Sequence, residues 1–247
     1  MEEQSHHVKH SVFDRTAYLR IQYLIMSREN ISVDEHYHIY NRGVGKKIIF
    51  KDERDQIRFL FLILYFQAEN YFPQISRIIS SYVKHRVFDI DDDVKSQIIK
   101  ERFVELVGFV LMPNHFHLIV KEVKEGGIGK YMQRVLNSYA KYFNARYGVT
   151  GHLFEGPYKA VHVEDNEQLL YLSAYIHLNP KELNGWDKKE DVFPWSSYQD
   201  YVRENRWDEI LKTEIILEQF KNKREYKNFV QTSGAKEKDE EFNLNLD

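Results

Sequence analysis

The stretch "LMPNHFHLIV", Leu111 to Val120, carries two histidines one residue apart inside an apolar run. In a strand, residues i and i+2 leave from the same face. His115 and His117 would therefore project together, about 7 Å apart at the backbone from strand rise, while Phe116 turns into the core. Two imidazoles so placed can converge on one divalent cation at roughly 2.0–2.2 Å each. Two nitrogens do not complete a site, so a third polar ligand has to come from elsewhere. With water and phosphate oxygens in the remaining positions, Mg²⁺ or Mn²⁺ suits the open geometry. The competing reading is a structural histidine on an apolar strand. The chain also contains its own rival: "HYH", His36 to His38, has the same spacing at the start of an earlier strand.

The second chemical stretch is "LLYLSAYIHLNP". On a helix, Tyr175 and Asn179 are four apart and share a face. Pro180 disfavours helical backbone at the residue before it, which puts Asn179 at the last turn. An amide oxygen there can face a cation, with a phenol one turn earlier beside it. Tyr171 and Tyr175 are also four apart, so spacing alone does not choose the phenol. His177 points elsewhere, as a packing or phosphate-contacting residue.

These residues need elements to position them. "DEHYHIYNRGVGKKIIF" alternates as a strand does, and Gly43 and Gly45 mark a turn after it. "DERDQIRFLFLILYFQAEN" has helical spacing with acidic residues in its first turn. "VELVGFVLM" and "HFHLIVKEV" read as strands joined tightly at Met112, Pro113 and Asn114, where a proline suits a turn or bulge. "IGKYMQRVLNSYAKYFNARYG" is an amphipathic helix ending at Gly148. "GHLFEGPYKAVHV" leads into a short strand, "EDNEQLLYLSAYIHLNP" into a helix closed at Pro180, and "FPWSSYQDY" into an aromatic packing segment. The order predicts an α+β, ferredoxin-like sandwich, with helices on one face of an antiparallel sheet. Residues 1–30 read as an extension in which "FDRTAYLRIQYLIM" could form a short helix. Residues 31–202 read as the main domain with a polar insertion at about 71–100. Residues 203–247 read as a helical extension with a disordered acidic tail.

Composition sets the outer limits. The chain has 247 residues, 43% of them hydrophobic, with 17 tyrosines and 16 phenylalanines, enough for a sizeable core. It has no cysteine, which excludes disulfides and thiolate metal sites. No apolar run reaches the roughly 18 residues of a membrane span, and the polar start lacks a signal-peptide pattern. A cytoplasmic, nucleoid-associated protein without a membrane partner is the expectation. The net charge of −3 neither favours nor excludes nucleic acid, which needs only a local basic face. Lys130, Arg134 and Lys141 form one stripe on the long helix, which also carries Arg146. Arg42, Lys46, Lys47 and Lys159 cluster at turns near the histidines. Tyr139, Tyr142 and Phe143 are candidate stacking surfaces for bases, with core packing the stronger reading.

In "YHIYNRGVGKKIIF", "GFVLMPNHFHLIV", "YAKYFNARYGVTGHLFEGPYKA", "LLYLSAYIHLNP" and "FPWSSYQDY", taken in this order over roughly residues 35 to 201, the chain resembles the HUH single-tyrosine transposases. The branch it resembles is that of the IS200-like, REP-associated tyrosine transposases. The resemblance implies a ferredoxin-like fold and a metal pair at His115 and His117. It also implies a nucleophile at Tyr175 and a third ligand at Asn179. The implied substrate is single-stranded or hairpin DNA, cleaved and rejoined through a 5′-phosphotyrosine link with Mg²⁺ or Mn²⁺ and without ATP. A monomer or homodimer fits the family. "LFEGPYKA" departs from it, since many relatives have arginine where this chain has Pro157. A metal-dependent hydrolase would need a general base and more ligands than stand out here. The alternative is a domesticated, sequence-specific DNA-binding protein of the same fold without transposition activity; the intact His115, His117 and Tyr175 argue against it.

Overall fold

A computed structural model of the chain describes residues 31–69, 75–85 and 91–236. The short helix expected at 13–26 and the acidic tail lie outside them. The strands are β1 (His36–Arg42), β2 (Val104–Met112), β3 (His115–Glu122) and β4 (Lys159–His162). They form one antiparallel sheet in the order β2-β3-β1-β4. Helix α1 (Glu53–Tyr65) connects β1 towards β2, and α4 (Gly127–Tyr147) connects β3 to β4. This is the α+β, ferredoxin-like arrangement that the pattern predicts.

Where it is described, the stretch expected to be an insertion is helical. It contains α2 (Ile75–His85) and α3 (Asp92–Glu101), each of which buries a single residue, Ile79 and Ile98. Both are polar around most of their circumference, as the composition of this stretch predicts. Among the described residues no helix is long and apolar enough to cross a membrane.

Register assigns every strand residue to a face, because directly paired residues in antiparallel strands point the same way. Arg42 pairs with His115, Tyr40 with His117, Val110 with His117 and Met112 with His115. These side chains share what we call the histidine face. Phe116, Leu118, Phe109 and Leu111 point from the other face. There Phe59 of α1 lies 4.8 Å from Phe116 and 5.1 Å from Tyr139 of α4, ring centre to ring centre. Asp52 caps α1 by accepting from the Asp55 amide at 3.1 Å. The buried Glu122 carboxylate accepts from the Gly127 and Ile128 amides at 2.9 and 2.6 Å, so a negative charge sits at the α4 N-terminus. Gly148, at φ 63°, ends α4.

Helices on one face describes α1 and α4 only. Helix α5 (Asn166–Leu178) lies on the histidine face, capped by Asp165, which accepts from the Gln168 amide at 2.8 Å. The middle of that face is apolar, with Ile119 and Val110, and needs cover. Gly108 permits the approach: a β-carbon there would sit 3.1 Å from the Ile176 side chain. After α5 the chain runs along the outer edge of β2, where Leu111 donates to the Trp195 carbonyl at 2.8 Å and Ser197 to the Phe109 carbonyl at 2.9 Å. Helices α6 (Tyr198–Val202), α7 (Glu214–Leu217) and α8 (Lys223–Thr232) follow. Tyr226 and Val230 of α8 are buried, and the Tyr226 hydroxyl donates to Ser173 of α5 at 3.1 Å.

Candidate functional site

At one end of the histidine face a cleft of about 420 Å³ remains between sheet and α5. It is lined by Tyr40, Arg42, Lys46, Asn114, His115, His117, Tyr175 and Asn179, among others. The sheet supplies the histidines, as alternation predicts, and their ring centres are 5.0 Å apart. Each ring is held by its Nδ1. His115 Nδ1 donates to Asn114 Oδ1 at 2.6 Å, and His117 Nδ1 lies 3.1 Å from His38 Nε2. Anchoring one imidazole nitrogen leaves the other to face a ligand, the usual arrangement around metal-binding histidines.

Asn179 comes from α5. Its Nδ2 donates to the Tyr175 carbonyl at 3.1 Å, which leaves Oδ1 as its acceptor atom, and the residue lines the same cleft as His115. The backbone at Asn179 stays helical, at φ −51° and ψ −42°, despite Pro180. The chain tightens into a 3₁₀ turn over Asn179–Glu182 with the proline in its first turn, where no amide donor is needed. This continuation keeps Asn179 directly below Tyr175. Tyr175 is 6% exposed and lines the cleft, and its ring stands edge-on to His117 at 6.2 Å between centres. The rival phenol, Tyr171, packs on Phe229 of α8 at 5.6 Å.

Burial governs the electrostatics. Desolvation lowers the His115 pKa to about 4 and the His38 pKa to about 3. It carries His117 well below its ordinary value, and the neighbouring imidazoles His115 and His38 lower it further. All three rings are neutral near pH 7, so His115 and His117 can each turn a lone pair to a cation. Among the described residues no three His, Cys, Asp or Glu side chains gather as a metal cage. The set that converges is two neutral imidazoles and an amide oxygen, with room for water and phosphate. These donors fit a divalent cation of the Mg²⁺ or Mn²⁺ kind.

The basic residues separate by layer. Arg42, Lys46 and Lys159 sit on the histidine side. Arg42 pairs with Glu155 at 3.7 Å, Lys46 lines the cleft, and Lys159 lies 5.4 Å from the centre of the Tyr40 ring. Lys47 is exposed on the same turn as Lys46. Lys130, Arg134 and Lys141 do share a stripe, but α4 carries it on the opposite layer, away from the cleft. Arg134 there donates to the Ala68 carbonyl at 2.5 Å and covers the Phe66 ring at 4.5 Å. Arg146 pairs with Asp52 and the fully buried Asp55. Tyr142 donates to Asp55 at 3.0 Å, and Tyr139 and Phe143 are buried, so this aromatic group packs the fold. His177 is likewise a packing residue, held between the Tyr226 hydroxyl at 2.7 Å and Ser197 Oγ at 2.8 Å.

Three residues join the site that sequence reasoning did not place there: His38, Asn114 and Lys236. The Lys236 ammonium lies 4.0 Å from the centre of the Tyr175 ring and 2.7 Å from Glu182. Asn114 had a signal in its position next to His115 at a tight turn. His38 had one in the "HYH" spacing. Lys236, 61 residues from Tyr175, had none.

No curated protein sequence matches the chain. A solved structure described as "the REP associates tyrosine transposase bound to a REP hairpin" is similar at 15% identity, covering 71% of this chain and 83% of that one with a TM-score of 0.41. Residues 77–179 match the family model described as "Transposase IS200 like". That span contains His115, His117, Tyr175 and Asn179.

Proposed function

We propose that the protein cleaves and rejoins single-stranded DNA through a covalent bond between Tyr175 and a 5′-phosphate. One observation carries the reading: a phenol from α5 and two anchored imidazoles from β3 line the same cleft, with Asn179 one helical turn from the phenol. A bound divalent cation would be held by His115, His117 and Asn179, and would supply charge stabilisation at a non-bridging phosphate oxygen.

The remaining work falls to the chain itself. Arg42, Lys46 and Lys159 hold the flanking phosphates, and hairpin-containing or repeat DNA is the proposed substrate class. The Tyr175 oxygen attacks phosphorus as the bond to the 3′ oxygen breaks. The phenolic proton is lost and the departing 3′ oxygen gains one, giving a 5′-phosphotyrosine and a 3′-hydroxyl. A second 3′-hydroxyl reverses the step and reseals the strand, so no ATP is consumed. Lys236 places a further positive charge beside the attacking ring, where the phosphate must arrive.

The test is incubation of the full chain with end-labelled single strands and Mn²⁺. A protein–DNA adduct, absent in Tyr175→Phe, is the expected result. Nicked DNA without any adduct would instead mark a hydrolase, and binding without nicking a DNA-binding protein that has lost catalysis. An adduct that persists in Tyr175→Phe would transfer the role to another phenol, Tyr171 first.

A further inference from the structure

We infer that His38 is a positioning residue for the cation site: it fixes the tautomer and orientation of His117 from beneath, as the acceptor of the His117 Nδ1–H. The inference rests on the proposed metal site and adds a residue to it. His38 is 1% exposed and makes its Nε2 contact to His117 Nδ1 at 3.1 Å. Its own Nδ1 is buried and has no hydrogen-bond partner among the described residues. The ring is wedged between Tyr40, 4.9 Å away and nearly parallel, and His117 at 5.2 Å. A buried imidazole with one orphaned nitrogen is not explained by its own hydrogen bonding, since buried polar atoms are ordinarily satisfied.

Proton counting gives the orphan a reason. Two neutral rings share one hydrogen bond, so one nitrogen of the pair carries the proton and the other accepts it. If His38 Nε2 donated, the His117 proton would sit on Nε2 and block the nitrogen that faces the cleft. For His117 Nε2 to hold a cation, its proton must be on Nδ1, and His38 must accept it at Nε2. The His38 proton then lies on Nδ1, the atom without a partner. The strand pairing makes this possible: His38 and His117 are diagonal neighbours on one face of adjacent antiparallel strands. His115 has the equivalent support from Asn114 Oδ1, an oxygen that can only accept. Both histidines are thus held with Nδ1 protonated and Nε2 open, one by an amide and one by a third imidazole.

The experiment measures Mn²⁺ affinity by calorimetry on the full chain, without DNA. Wild type is compared with His115→Ala, His38→Phe and His38→Gln. Loss of an outer partner of a metal-bound histidine weakens metal binding by about 10- to 100-fold, and this is the effect expected for His38→Phe. His38→Gln, whose side-chain oxygen can accept the same proton, recovers most of the loss. A wild-type protein that takes no Mn²⁺, or a His115→Ala variant that binds as wild type does, removes the metal site and the inference with it. If those two controls hold and His38→Phe binds Mn²⁺ as tightly as wild type, only the role of His38 falls. A measurement that needs no variant is ¹⁵N NMR of the histidine rings with Cd²⁺ added. The inference requires a protonated His117 Nδ1 and an unprotonated His38 Nε2, and the opposite tautomers would overturn it.

Discussion

The two faces of the sheet solve different problems with the same strands. Against α1 and α4, β3 presents Phe116 and Leu118, and the partners are buried rings and aliphatic chains. Against α5 it presents His115 and His117, and packing stops short of them, leaving the cleft. The period-two alternation of a strand makes both possible within eight residues. One face is closed by apolar area. The other is closed further along by polar groups with fixed partners, such as His177 between Tyr226 and Ser197. Stability should therefore concentrate on the first face and chemistry on the second.

The largest effects should be chemical. Tyr175→Phe is expected to abolish the covalent DNA adduct on denaturing gels while leaving the melting temperature near that of wild type. His115→Ala should be similar in outcome, with cleavage in Mn²⁺ reduced to background. Its effect on stability should stay within about 1 kcal/mol, because a half-buried side chain at a cleft edge leaves little cavity. A denaturant midpoint that collapses in His115→Ala would mean that the histidine face is a core after all.

The other face gives the converse. Phe116→Ala removes a fully buried ring packed on Phe59 and should destabilise the fold by about 3–5 kcal/mol in urea melts. Any cleavage activity that survives at low temperature should keep its normal Mn²⁺ requirement, since no group of the cleft has been touched.

Much of this division was legible in the residues. The ends of β2 and β3 agree with their apolar runs, and the histidine pair follows from alternation alone. What escaped depended on distance in sequence. An amphipathic helix tells which of its own stripes is buried, but not which face of a sheet it will cover. Spacing puts Lys130, Arg134 and Lys141 on one basic stripe but cannot tell that the stripe lies behind the cleft. His36 and His38 read as a rival pair because spacing cannot show that antiparallel pairing sets His38 diagonal to His117. Asn179 kept its place for a different reason than expected: the proline after it starts a 3₁₀ turn instead of ending the helical backbone.

A smaller effect probes the polar closure of the histidine face. Tyr226→Phe removes a hydroxyl that bonds His177 and Ser173 in a fully buried setting. Leaving those partners unsatisfied should cost about 1–3 kcal/mol, read as a lower urea midpoint with an unchanged slope. No measurable loss would indicate that apolar contacts alone hold α8 on α5.

The smallest expected effect is also the sharpest test of which layer meets DNA. Lys159 stands on the histidine face beside Tyr40, whereas Lys141 is exposed on α4 behind the sheet. Each lost phosphate contact to a single strand should lower the slope of log affinity against log salt by about 0.7. Lys159→Ala should show that change and weaker binding at every salt concentration. Lys141→Ala should show neither, because a strand lying in the cleft cannot reach across the sheet. Equal losses in the two variants would require DNA to wrap both layers, and the separation of a packing face from a chemical face would no longer describe how this protein binds.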